Sequence, residues 1–193
     1  AFISRGELFI SDVKGKFVKQ IPLKNEERIK EVVWLKDNTT VLYTRTDKGY
    51  TNLFTIATNT KAKEKQLTKD SRNNVNIALG PKLDKVLYIS GRDELRLLTL
   101  KNAKSTVLVK DEFWALYAPQ PHFSPDGNYV MYNAYRNFEH DIFTIRLADK
   151  KITNLTKTGV TETSPAWSPD GKYVYFASNL TQPSYPYGMK APK

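Results

Sequence analysis

A ten-residue segment of this chain returns after 44 residues. Phe123-Ser124-Pro125-Asp126-Gly127-Asn128-Tyr129-Val130-Met131-Tyr132 is echoed by Trp167-Ser168-Pro169-Asp170-Gly171-Lys172-Tyr173-Val174-Tyr175-Phe176. Self-similarity at a fixed period of this length is the mark of a repeat architecture and outranks any local reading of secondary structure. Weaker copies extend it backwards: Trp34-Leu35-Lys36-Asp37-Asn38 leads to Val41-Leu42-Tyr43, and a degenerate copy runs from Gly80-Pro81 to Val86-Leu87-Tyr88. An aromatic residue therefore falls at 43, 88, 132 and 176. A second landmark follows about eleven residues later, as Leu53-Phe54-Thr55-Ile56, Leu97-Leu98-Thr99-Leu100 and Ile142-Phe143-Thr144-Ile145, with an earlier copy at Leu8-Phe9-Ile10. A third closes each unit, as Gln66-Leu67-Thr68, Val107-Leu108-Val109 and Asn154-Leu155-Thr156.

Within a unit, β-branched and aromatic residues sit between turn formers with no helical spacing of apolar positions, so each landmark reads as a strand. In the clearest copy the strands are expected at Gln120 to Phe123, Tyr129 to Tyr135, Asp141 to Leu147 and Lys151 to Thr156. Ser-Pro-Asp-Gly joins the first two as a tight reversal: proline presets φ, aspartate bonds the local backbone, and glycine takes the left-handed position. Four antiparallel strands every 44 residues or so predict an all-β chain of β-propeller blades, because a sandwich would not copy itself. One such sheet has two apolar faces and can bury them only against its neighbours. Trp34, Phe123 and Trp167 are then expected in the core between blades.

The repeat divides the chain, read as a single propeller segment, into an outer half-blade at 1–31, blades at 32–74, 75–119 and 120–164, and an inner half-blade with a loop at 165–193. This phase fits either a closed four-bladed ring, its two halves pairing, or a window of a longer propeller. Gln182-Pro183-Ser184-Tyr185-Pro186-Tyr187-Gly188 reads as a loop toward a third strand.

Charge and composition exclude several classes of function. The net charge of +10 is spread along the chain, with 15 basic and 9 acidic residues before Val75 and 15 and 11 after it. The densest run, Lys61, Lys63, Lys65 and Lys69, lacks the interleaved aromatics of a single-strand nucleic-acid platform and is expected to guard a sheet edge. No nucleic-acid partner is therefore expected. No run of about 18 apolar residues predicts a spanning helix. With no cysteine, thiolate metal sites and cysteine nucleophiles are ruled out. Three glycosylation-type sequons, at Asn38, Asn154 and Asn179, are at chance level.

No catalytic, cofactor or metal residue is assigned. A Gly-x-Ser-x-Gly elbow, His-Glu-x-x-His spacing and a phosphate-cradling glycine loop are all missing. His122, before Phe123 in an inner strand, is expected to be a core or lining residue. His140, beside Glu139 and Asp141, is expected in a solvated hairpin, and Asp126 and Asp170 are explained by their turns.

The run Ser168 to Ser178 (Ser-Pro-Asp-Gly-Lys-Tyr-Val-Tyr-Phe-Ala-Ser) resembles the propeller repeats of TolB, of prolyl-oligopeptidase-type peptidases and of tricorn proteases. Ala1-Phe2-Ile3-Ser4-Arg5-Gly6-Glu7-Leu8-Phe9 is similar to the Ala-Phe-x-x-Arg-Gly-Glu-hydrophobic-Phe segment of the tricorn family, as are Thr163 to Lys172 and the Tyr-Pro-Tyr-Gly loop. The likeness is strongest at both ends and vaguer from Val75 to Lys110. The resemblance implies a non-catalytic propeller that gates or channels peptides in a large oligomeric serine protease, whose PDZ-like module and catalytic core lie downstream. The partners it implies are peptides or unfolded polypeptide, those downstream domains and further copies of the chain. It points to the cytoplasm and leaves the periplasm open. A free-standing TolB-like interaction propeller, or the cap of a prolyl-oligopeptidase-type domain, stays as an alternative.

Overall fold

Five antiparallel sheets follow one another along the chain in the computed structural model, which describes residues 1–23, 28–59, 63–113, 120–136 and 139–179. The first sheet holds β1 (Phe2–Ser4), β2 (Glu7–Ser11) and β3 (Val18–Gln20). Three four-stranded sheets come next: β4 (Ile29–Trp34) to β7 (Lys65–Gln66), by way of β5 (Thr40–Asp47) and β6 (Tyr50–Ala57); β8 (Asn74–Leu79), β9 (Lys85–Ser90), β10 (Glu94–Thr99) and β11 (Lys104–Lys110); and β12 (His122–Phe123), β13 (Tyr129–Arg136), β14 (Glu139–Arg146) and β15 (Ile152–Asn154). The last described sheet pairs β16 (Glu162–Trp167) with β17 (Val174–Ser178). The chain is all-β, as the repeat requires. Residues 182–188, expected to form a loop, Lys61 and residues 137–138 lie outside the described residues.

The expected strands of the third unit differ only at their ends: the first is described as His122–Phe123 and the fourth as Ile152–Asn154. The unit boundaries at 31/32, 74/75 and 164/165 each cut the first strand of a sheet, which begins at Ile29, Asn74 or Glu162. Each of these strands slips register near its start, at Ile29/Glu31, Val75/Ala78 and Thr163/Ala166. A bulge breaks the alternation that marks a strand in sequence, so the strand onset is hidden there. Asn76 and Ser164, two repeats apart, take positive φ within their bulges.

The core lies between sheets, and the alternation of each second strand explains why. Val41 and Tyr43 face back onto Leu8 of the first sheet. Leu42 faces forward onto Val86 and Tyr88. Leu87 and Ile89 face forward in turn, onto Val130, Tyr132 and Ala134. The three aromatic landmarks Tyr43, Tyr88 and Tyr132 are fully buried. Trp34 and Phe123 are half-buried and pack against these clusters, while Trp167 is half-buried with its indole nitrogen unpartnered. Lys63 and Lys65 stand exposed on or beside the outermost strand β7, where lysine discourages a further strand from pairing.

The Ser-Pro-Asp-Gly turns set the spacing between neighbours. In both copies the serine hydroxyl bonds the aspartate, Ser124 to Asp126 at 2.5 Å and Ser168 to Asp170 at 2.6 Å. It also accepts the amide five residues on, at 2.9 Å from Tyr129 and from Tyr173. Gly127 and Gly171 take φ of +75° and +71°, and a Cβ on Gly127 would come 3.1 Å from the Pro81 ring. Each turn glycine thus rests on the proline of the preceding turn, since Gly171 meets Pro125 in the same way. In the degenerate copy Leu83 occupies the left-handed position, at φ 55°, a conformation that costs an ordinary side chain about 1–2 kcal/mol.

Candidate functional site

Strand direction alternates within each sheet, so the connections fall at two ends. The Ser-Pro-Asp-Gly turns share one end with the connections between third and fourth strands. The hairpins between second and third strands, and the links from one sheet to the next, share the other. The first strands β4, β8, β12 and β16 are sheet edges, with β8 lying against both β4 and β12, and together with the segment just before β12 they carry a polar row of Lys30, Glu31, Asn76, Gln120, His122 and Ser164. This row is the candidate functional surface.

Glu31 is its best-defined member. Its carboxylate accepts the backbone amides of Asn76 at 3.1 Å and Ile77 at 3.0 Å from the next sheet, and the Thr44 hydroxyl at 3.1 Å. The bulge at Val75/Ala78 removes the strand partner of those amides and turns them toward Glu31. One repeat further, the Gln120 side-chain amide donates to the Ile77 carbonyl at 2.9 Å. Side chain therefore replaces ladder where one sheet passes to the next.

Burial pushes the Glu31 carboxyl above its ordinary value of 4.5, against the lowering effect of its amide and hydroxyl donors and of Lys30. A folded-state pKa above the unfolded one gives stability that is fully present below the unfolded value and lost as pH rises through the folded one. Urea midpoints of the native chain should therefore fall just above pH 4.5, with a flatter profile for Glu31→Gln; parallel profiles would contradict this assignment.

His122 stands half-buried on β12 opposite Met131, and burial lowers its pKa. It lies in the inner row, and the sequence reading of a lining residue rests on that position. His140 belongs to β14 and sets its ring edge-on against Tyr135 at 5.2 Å. Among the described residues no hydrogen bond joins either imidazole to a hydroxyl or carboxylate, and no three His, Asp or Glu side chains are grouped to hold a metal ion. Asp126 and Asp170 are held below the usual carboxylate range, first by the serine hydroxyl and then by the amide two residues on. Both carboxylates are occupied by their own turns.

A polar cluster that sequence reasoning missed recurs at two sheet junctions. Asn52 accepts the Thr68 hydroxyl at 2.8 Å and the Asn74 amide at 3.2 Å, and Asn74 also reaches Asp70 at 2.8 Å. Two repeats later Asp141 accepts Asn154 at 2.7 Å and Thr156 at 3.4 Å, and Thr158 donates to the fully buried Glu162. Thr68 and Thr156 also each accept the amide of a third strand, from Leu53 at 2.9 Å and Ile142 at 3.1 Å. Only the two threonines keep their identity between the copies, which is why the residue types alone gave no signal.

On the turn side a cleft of 480 Å³ opens between the third and fourth sheets, lined by Pro81, Lys82, Lys85, Phe123, Asn128 and Arg146 among others. No helix of the described residues is long and apolar enough to cross a membrane.

This arrangement, successive four-stranded antiparallel sheets that bury their faces against one another, is that of a β-propeller. Its likenesses run to two groups of propeller protein. Over 178 residues, 92% of this chain, the sequence is 24% identical to a protein of Sulfurisphaera tokodaii described as a tricorn-like protease C-terminal subunit, of which that stretch is 20%. A solved structure of the tricorn protease superposes with a TM-score of 0.75 at 20% identity, over 92% of this chain and 17% of the protease chain. A shorter stretch of 57 residues, 30% of the chain, is 35% identical to the Tol-Pal system protein TolB of Francisella tularensis, covering 13% of that protein. The chain thus spans a fifth or less of the length of each of these proteins. No family model matches it.

Proposed function

We propose that this chain is a non-catalytic propeller segment of a tricorn-like serine protease, comprising an outer half-blade, three blades and an inner half-blade. Its inner row of polar side chains gates or channels peptide toward a catalytic core outside these 193 residues. The observation that carries this reading is the extent of the tricorn-like match, which runs through 92% of the chain. The polar row on the first strands supports it physically: extended peptide presents backbone donors and acceptors, and the row offers a carboxylate, amides and an imidazole without a committed nucleophile.

The reading predicts that the purified chain hydrolyses no member of a fluorogenic peptide panel. It also predicts that a photo-crosslinker at Gln120 or Ser164 captures an added unstructured peptide. Hydrolysis that persists through repurification, or capture only from the outer-edge position Lys65, would contradict it. The downstream gene should encode PDZ-like and serine-hydrolase regions.

The 35% identity to TolB over 57 residues favours a second reading, a propeller that binds a partner protein and belongs to no enzyme. A gene that ends within a few blades of Lys193 would select it.

A further inference from the structure

The two copies of the polar cluster at the sheet junctions differ in the group at their centre. Between the second and third sheets that group is a donor: the Asn74 side-chain nitrogen faces three oxygens, of Asp70 at 2.8 Å, Asn52 at 3.2 Å and Thr68 at 3.4 Å. Two repeats later, between the fourth and fifth sheets, Asp141 stands for Asn52, Thr158 for Asp70 and Glu162 for Asn74. The central nitrogen has become a carboxylate, which accepts and cannot donate. Glu162 Oε1 takes the hydroxyl of Thr158 and, at 3.3 Å, that of Ser178, whereas Oε2 has no partner although the residue is 0% exposed. Asn133, 2% exposed, donates its side-chain amide to the Glu162 carbonyl at 2.9 Å, and its own side-chain oxygen is also unpartnered. In the earlier copy the unpartnered oxygens, of Asn74 and Ser90, are neutral. Here one belongs to a carboxylate, whose burial without a counter-charge costs far more. Among the described residues neither Asp141 nor Glu162 pairs with a lysine or arginine.

We propose that this junction binds a calcium ion in the place that the Asn74 nitrogen holds in the earlier copy. The ligands are the Asp141 and Glu162 carboxylates and the Asn133 side-chain oxygen. These are hard oxygen donors, which calcium accepts in irregular geometry and magnesium does not, and two carboxylates match the charge of a divalent ion. Asn154, donating to Asp141 at 2.7 Å, fixes the orientation of that carboxylate from outside the site. A pocket of 370 Å³ that Asp141 and Asn154 line gives the ion a way in. Two cations share that lining: Arg136, already held by Asp111, and the exposed Lys157. The site is complete among the described residues, because every partner in the earlier copy has its counterpart at or before Ser178.

The chelator-treated chain, titrated with calcium chloride in a calorimeter, should bind a single ion. Calcium about a hundredfold above its Kd should raise Tm by roughly 5–10 °C, and magnesium at the same concentration should raise it far less. Glu162→Gln puts an amide nitrogen back at the centre, so this variant should fold, lose the calcium response and melt above the metal-free native chain. Asp141→Asn should weaken calcium binding by about tenfold or more, through the loss of one ligand charge. A native chain that shows neither heat nor a Tm shift in millimolar calcium would overturn the proposal and leave a proton or a water at the centre. So would equal shifts from magnesium, or from sodium chloride at matched ionic strength, which mark general screening. A Glu162→Gln chain that keeps the native calcium response would overturn it as well.

Discussion

Tyr132→Ala is expected to destabilise the fold by about 3–5 kcal/mol, the range for removing a large buried aromatic side chain. Tyr132 is 1% exposed. Its ring stacks on Phe143 at 5.3 Å within its own sheet and meets Phe113, from the preceding unit, at 5.7 Å. Deletion leaves a void that rigid sheets on either side cannot close, because both are held by turn stacking. For a chain of this size the loss corresponds to a fall in Tm of roughly 10 °C. Tyr132→Phe keeps the ring and loses only the hydroxyl's 3.3 Å bond to Asp111, at a cost of about 1 kcal/mol. Thermal unfolding of the two variants separates the contributions. Equal losses would mean that the hydroxyl, not the stacked ring, dominates, and the account of the core would be wrong.

Arg136→Ala should be the largest electrostatic perturbation. The Asp111 side chain, at the end of the third sheet, is 7% exposed and accepts both guanidinium arms of Arg136 from the fourth, at 2.5 and 2.7 Å. The same guanidinium lies 4.7 Å above the Phe143 ring. Removing it leaves Asp111 charged in a site with little water. Breaking a buried pair costs about 3–5 kcal/mol, and the 40% exposure of Arg136 reduces the expected loss to about 2–3 kcal/mol. Adding Asp111→Asn to Arg136→Ala should recover part of it, since an orphaned amide is less costly than an orphaned carboxylate. Urea unfolding of the single and double variants decides the matter: a double variant weaker than Arg136→Ala alone would exclude a desolvated carboxylate as the cause.

The repeat was legible because its turns use residues with narrow backbone preferences. Ser-Pro-Asp-Gly at 124–127 and 168–171 states the reversal, and the hydrogen bonds found there are the ones those side chains make locally. Asn38 could be placed in the turn at 37–40 for the same reason, since asparagine tolerates the left-handed position it adopts. The degenerate turn at 80–83 was seen only through the period, because Leu83 adopts a conformation that leucine does not advertise. The inner row was less legible. Glu31 finds its partners 45 and 46 residues away, and nothing local to Glu31 marks those amides as available. The bulges that free them sit at different residue types in each copy, so no shared motif announces them. His122 could be put on the first strand of its sheet from its place before Phe123, and His140, read as a hairpin residue, lies in the β13–β14 hairpin as the second residue of β14, opposite Tyr135.

Pro81 against Gly127 links the fourth sheet to the third, and Pro125 against Gly171 links the fifth to the fourth. A molecule joined in this serial way has no keystone. Under a pulling force applied at its termini it should come apart stepwise, the end sheets with one neighbour yielding before the inner sheets with two, so that extension traces show several small ruptures rather than one.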